Sequence, residues 1–284
     1  MKRLRLLTVT AVSLVAISML TYCGSQSAEK QLLEIDKAKF DETSINIDNP
    51  WLPLKPGMQY VYDGHTIDEG EKIEHRIIFT VTDLIKVING VNVVVIHDRD
   101  LSQGQLKESE LTFFAQDVDG NVWHLGQHSE TYNESEFVGG RAWMVGHLEG
   151  AKAGIMMKAN PKPGTPDYSE GYAPPPYNWT DRAKVHKMGE STTVPAGSYS
   201  DVLITEETSD EEPGASQLKY YARGVGVVRV GFTGDDPSKE ELELVQINQL
   251  TPEQMDETRA EALALETRAY VYATTKPAVK RENP

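Results

Sequence analysis

Cysteine occurs once in the 284 residues, so no intrachain disulfide can form and cysteine-rich zinc or iron–sulfur sites are excluded. Positive charge is also scarce: 28 Lys and Arg stand against 43 Asp and Glu, a formal net charge of −15. A surface this acidic repels phosphate backbones and anionic headgroups, which removes nucleic acid from the partner classes. The apolar run at residues 6–20 falls short of the roughly 20 residues that a bilayer-spanning helix needs. No Gly-x-Ser-x-Gly elbow is present and the sole cysteine lies at the N-terminal end, so neither nucleophile has support. The glycine-rich stretch 224–231 lacks Gly-x-Gly-x-x-Gly spacing and leads into a predicted strand, so no dinucleotide or other cofactor is expected.

What the chain does have begins with an address. Lys2, Arg3 and Arg5 precede the apolar run, the order of a secretory signal ending near residue 22. Cys23 follows in Leu20-Thr21-Tyr22-Cys23-Gly24-Ser25. This resembles a bacterial lipobox, with Tyr22 where that signal usually has Gly, Ala or Ser. The resemblance implies that Cys23 is acylated and becomes the mature N-terminus of a lipoprotein of the cell envelope, facing the periplasm or the cell surface. Loss of residues 1–22 takes three cations and no anions from −15, leaving −18. Acyl chains, not charge, would hold the protein to its membrane.

A polar tether at 23–48 leads to Asn49-Pro50-Trp51-Leu52-Pro53-Leu54-Lys55-Pro56-Gly57, where three prolines force an extended entry. Strand patterns follow at 58–62, 72–88, 91–98, 111–116, 122–126, 183–188, 191–194, 199–206, 217–222, 226–232 and 240–247. Asn89-Gly90 between β-branched runs is a strong hairpin signal, because both central positions of a type I′ turn need positive φ. The fold class expected is mainly β: an antiparallel meander closed as a barrel or folded as a sandwich over residues 49–250. Residues 251–284 read as a C-terminal helix and tail, with Thr251 as N-cap and Pro252 at the first helical position. The helix presents a weak apolar face that should dock on the β domain.

Residues 157–182 hold six prolines with Tyr168, Tyr172, Tyr177 and Trp179, a loop long enough to be functional. It is expected to cover the open end of the β domain. His97 and Asp98 are neighbours on one strand and so face opposite ways, which prevents them from sharing an ion. His124 and His128 would stand roughly 13 Å apart in a regular strand. Asp117-Val118-Asp119-Gly120-Asn121 begins like a calcium loop, but Val122 occupies the glycine position, so a turn is the simpler account. No metal site is expected. The candidate ligand-binding set is therefore aromatic and polar: Trp123, His124, Trp143, His147, Tyr168, Glu170, Tyr172, Tyr177 and Trp179.

Four stretches also resemble a group of uncharacterised bacterial secreted proteins and lipoproteins: Asn49–Gly57, the run 116–126 around Asp119-Gly120-Asn121-Val122-Trp123, Val194-Pro195-Ala196-Gly197, and Tyr220-Tyr221-Ala222 with Gly224-Val225-Gly226. The resemblance implies an exported β-rich domain and assigns no catalytic residue. The functional expectation is a non-catalytic envelope protein that binds a small molecule or envelope component. Two alternatives stand beside it: a metal- or carboxylate-dependent hydrolase of envelope polymers, drawing on Asp98, His124, His128 or His147, and an assembly factor of the envelope.

Overall fold

The structure is a computed structural model that describes residues 35, 38–270 and 276–282. The export signal and Cys23 lie outside the described residues. The chain is mainly β, as the patterns require. Five long strands open it: β1 (Met58–Asp68), β2 (Glu71–Ile88), β3 (Val91–Ser102), β4 (Gln105–Gln116) and β5 (Val122–Asn133). The strands β6 (Glu136–Met144) and β7 (Lys152–Met157) both pair with β5. Two-residue strands β8 (Tyr168–Ser169) and β9 (Gly171–Tyr172) precede a second meander of β10 (Arg182–Val194), β11 (Gly197–Thr208), β12 (Ala215–Ala222), β13 (Gly226–Gly234) and β14 (Glu241–Gln249). Helix α1 (Pro252–Ala269) and the short β15 (Val279–Lys280) follow, and a 3-10 turn at Glu42–Ile45 precedes β1.

Turn chemistry sets the first meander. Asn89 and Gly90 both have positive φ, as the predicted type I′ hairpin demands, and Glu69-Gly70 and Gln103-Gly104 make the same turn between their strands. The β14–β1 pairing joins the two meanders into one antiparallel sheet, ordered β8-β10-β11-β12-β13-β14-β1-β2-β3-β4-β5-β7-β9. The hydrogen-bonded path is open, so this is not a closed barrel. Its two ends are nevertheless β8 and β9, which one residue, Glu170, separates in the chain. The sheet must therefore curl until its ends meet at that residue.

Several expected boundaries moved. β1 does not stop at Asp63-Gly64: Gly64 lies within it, where a Cβ would fall 1.7 Å from the Glu241 carbonyl oxygen of β14. The missing side chain permits the close approach, and the strand continues. The predicted strands 183–188 and 191–194 are one strand, β10, interrupted by register shifts against β11. The expected loop over 157–182 carries β8 and β9 and closes the curl, a seam and not a detachable lid.

Each face of the sheet has its own core. The concave face gathers Tyr60, Tyr62, Val94, Ile96, Phe114, Tyr221 and Leu242. The convex face of β2–β5 gathers Val93, Val95, Leu111, Phe113 and Leu125, covered by Ala262 and Leu265 of α1. The helix has little apolar surface to offer, and charge makes up the difference. Arg259 forks onto Asp83 (2.8 and 2.7 Å), Arg268 onto the buried Glu130 (2.6–3.1 Å), and Lys86 meets Glu266 at 2.5 Å. Thr251 caps the helix in a reciprocal box with Gln254.

Candidate functional site

Strand alternation directs alternate side chains of β3 to opposite faces. His97 goes to the convex side, where its Nε2 meets Ser109 Oγ at 3.0 Å, and Asp98 goes to the concave side with Val94 and Ile96. On β5 the alternation is broken. Phe113 pairs with Gly126 and Phe114 with His124, which leaves Leu125 as an extra residue. The bulge reverses the facing of everything after it. His124 thus points inward beside Phe114, while His128, four residues on, lies edge-on to Phe113 of the convex core. Gly126 makes the bulge possible: its φ is +146°, and a Cβ would sit 2.3 Å from the Trp143 carbonyl oxygen.

The concave face encloses a cavity of about 280 Å³. Its walls come from β1–β5, β7 and β12–β14, and Leu52, Pro53 and Leu54 of the entry segment contribute as well. Tyr60, Tyr62, Phe79, Phe114 and Tyr221 give it an aromatic, largely apolar lining. Polar groups enter at a few points: Asp98, Glu110, His124, Gln127, Gln217, Lys219 and Glu240. Such a mixture is the usual composition of a small-molecule pocket.

The polar groups are only partly satisfied. Gln127 Nε2 donates to Glu110 Oε2 (2.9 Å) and to Tyr177 Oη (2.6 Å), but its buried Oε1 has no partner. Asp98 Oδ1 is likewise buried without a partner. Burial, with Asp100 and Glu108 nearby, pushes the Asp98 carboxyl up to about 7. Burial and the neighbouring Glu108 and Asp98 hold Glu110 well above the usual carboxylate range. Burial opposes protonation of His75, yet hydrogen bonds to Asp100 (2.8 Å) and Glu240 (3.0 Å) carry it up to about 10. On the opposite wall, the Lys219 ammonium meets Glu207 at 2.5 Å. Its burial works against the charge, but Glu207 and Glu170 more than offset that cost.

Of the predicted set, His124 and Trp179 line the cavity. His124 contacts the rings of Trp143 (5.0 Å) and Trp179 (5.5 Å), and Trp143 contacts Tyr177 (6.3 Å), so these four form one aromatic layer at the seam. Burial lowers His124 to about 4, and the neutral ring faces two carbonyls, Glu170 O at 3.2 Å and Gly126 O at 3.1 Å, of which it can donate to one. Glu170 is 2% exposed at the meeting point of the sheet ends; burial first, then Glu207, keeps its carboxyl well above the usual range.

The remaining predicted residues stand elsewhere. Trp123 packs on the convex side against Phe40 and donates from Nε1 to Asp117 (2.7 Å). That same carboxylate accepts from the Asp119 and Asn121 amides, so the calcium-like stretch is a turn. His147 is exposed, Tyr172 is half-buried on β9, and Tyr168 is buried beneath the Lys158 ammonium. The histidines considered for hydrolysis are dispersed: His124 inside, His128 on the convex face and His147 at the surface. Among the described residues no three His, Cys, Asp or Glu side chains gather where a metal ion could sit.

Sequence reasoning did not find Tyr60, Tyr62, Phe79, Glu110, Phe114, Gln127, Lys219 and Tyr221. Tyr60 and Tyr62, two apart on a predicted strand, shared a face by alternation, and that was a usable signal. Gln127 had none, since its inward facing depends on the bulge.

No family model matches the chain, and no curated protein matches it. Two solved structures are similar in outline. One, from Bacteroides fragilis, is described as an exported protein with a YmcC-like fold: 14% identity, 70% of this chain and 98% of that chain covered, TM-score 0.40. The other, from Parabacteroides distasonis, is described as a lipoprotein: 13% identity, 70% and 99% covered, TM-score 0.39. No property of either is carried over to this chain.

Proposed function

We propose that the protein is an exported receptor, tethered to the envelope membrane through a lipid on Cys23, which holds a small and largely apolar guest inside the curled sheet without transforming it. The observation that carries this reading is the aromatic-lined cavity of about 280 Å³ on which both meanders converge, with buried hydrogen-bonding atoms left free in its wall. Apolar contact provides roughly 25 cal/mol per Å² of guest surface covered. Association costs at least about 4 kcal/mol, so a guest must cover well over 160 Å² of apolar surface to be retained. A cavity wrapped by sheet on several sides meets that requirement for a molecule of about ten heavy atoms.

Native mass spectrometry of the mature protein from envelope extracts tests the reading. A bound small molecule should be present in the wild type and absent from Thr112→Trp, whose added ring fills the cavity. Equal occupancy in both would place the guest elsewhere.

One observation favours a second reading. Asp98 and Glu110 sit opposite each other on β3 and β4, and both carboxyls are shifted upward, the condition a general acid needs to hold its proton. A carboxylate-dependent hydrolase would release reducing ends from purified envelope glycan and lose that activity in Glu110→Gln. Absence of release from the wild type counts for the receptor.

A further inference from the structure

We propose that the guest is an organic cation, an amine or alkylammonium, with its charged head held between Asp98 and Glu110 and its apolar body along Tyr60, Phe79, Phe114 and Tyr221. This rests on the receptor reading above and specifies its ligand class. Two pairs of like charges face each other on alternate rungs of β3 and β4, Asp98 with Glu110 and Asp100 with Glu108, with the Arg99–Ser109 rung between them. Opposed like charges destabilise a sheet unless something neutralises them. Three of the four have a side-chain hydrogen-bonding partner, and the Arg99 backbone and the His75 charge only partly relieve Asp98. His75 meets Asp100, Ser129 Oγ donates to Glu108 (2.5 Å), and Gln127 Nε2 donates to Glu110. Asp98 Oδ1 has no such partner.

A second, smaller cavity of about 150 Å³ lies against this ladder, lined by Ile77 and the four carboxylates. Ile77, Asp98 and Glu110 line both cavities, so the ladder forms the polar end of the larger one. The acidic cluster does not stand alone as evidence. Gln127, 3% exposed and on the same inner wall, leaves its Oε1 without a donor. Asp98 Oδ1 and Gln127 Oε1 are both acceptors, and they ask for a donor. An ammonium group brings three N–H donors and the missing positive charge together.

Charge selects against the opposite kind of guest. Lys219 is already engaged by Glu207, so a carboxylate or phosphate head at the ladder end would meet the free acceptors of Asp98 and Gln127. The aromatic lining adds ring faces that attract cations. At the seam, Trp179 lines the same cavity, and its buried Nε1 has no acceptor.

The test uses three probes with one chain and three heads: n-octylamine, 1-octanol and octanoate. Each is titrated calorimetrically at pH 7.5 into the chain from Gly24 onward, which contains every described element. The expected order is octylammonium first, at least about tenfold tighter than octanol, the difference a charge-assisted hydrogen bond supplies, with octanoate weakest. Asp98→Asn should reduce the ammonium-to-alcohol ratio to near one, and continued binding of octanol reports an intact cavity. Octanol or octanoate equal to or tighter than octylammonium would overturn the cation inference and leave the receptor standing, as would an unchanged ratio in Asp98→Asn. Failure of all three probes to bind would overturn the receptor reading itself.

Discussion

Removing the carboxylate of Glu266 probes how a helix with so little apolar surface stays on the sheet. Lys86 is 0% exposed and Glu266 is 3% exposed, and their 2.5 Å contact is reinforced by the Lys276 carbonyl (2.6 Å) and by the Ala278 amide, which donates to both Glu266 oxygens (3.1 and 3.0 Å). In Glu266→Ala the ammonium keeps one neutral acceptor and the Ala278 N–H loses its partner. Breaking a buried pair from one side costs about 3–5 kcal/mol, a large part of the roughly 5–15 kcal/mol that keeps a domain folded. Replacing both ends, Lys86→Met with Glu266→Leu, removes the buried charges together. That change is commonly neutral or stabilising, offset by about 1 kcal/mol for the orphaned Ala278 amide. Urea unfolding followed by far-ultraviolet circular dichroism measures all three proteins. The single variant should lose at least about 3 kcal/mol and the double should return to within about 1 kcal/mol of wild type. A loss below about 1 kcal/mol for Glu266→Ala, or a double variant worse than the single, would refute the charge-clamp account of α1.

Two further predictions concern the site. Gly126→Ala places a Cβ against the Trp143 backbone at a φ of +146°, so the thermal midpoint should fall by an amount equivalent to about 2 kcal/mol or more; a change within about 0.5 kcal/mol would mean the bulge is not fixed by glycine. Asp98 has its folded pKa raised by burial to about 7, with Asp100, Glu108 and Glu110 facing it and His75 partly offsetting them. A raised folded pKa gives stability that is present in full below the unfolded value and is lost as pH rises through the folded one. Asp98→Asn, which cannot ionise, should therefore gain stability relative to wild type between pH 4 and pH 8 in paired urea titrations. A difference that stays flat or falls over that range would show that Asp98 is not held in a charge-averse setting.

Much of the scaffold was legible because its signals are local. The Asn89-Gly90 turn, the alternating β-branched runs and the Thr251-Pro252 helix start each act within a few residues, and each appears where expected. The convex and concave destinations of His97 and Asp98 also followed from alternation alone. The site was harder to read because it depends on long-range closure. Tyr221 and Tyr60 share a cavity only because β14 pairs with β1, and no local pattern announces that pairing. The bulge at Leu125 sent His128 to the convex face and Gln127 to the concave one, against the regular period. Aromatic residues drew attention to residues 157–182, yet most of their rings pack the seam, and only Trp179 reaches the cavity wall. The strands β6 and β7 were missed because Gly139-Gly140 and the flanking mixed sequence carry no alternation.

Protein-observed NMR during an octylamine titration locates the guest without any assumption about activity. The account predicts that amide shifts concentrate on the concave wall, at Tyr62, Asp98, Thr112, Gln127 and Lys219, and saturate with one molecule per chain. Shifts confined to the convex side near Lys86, Phe113 and Leu265, or spread over the surface without saturation, would contradict it.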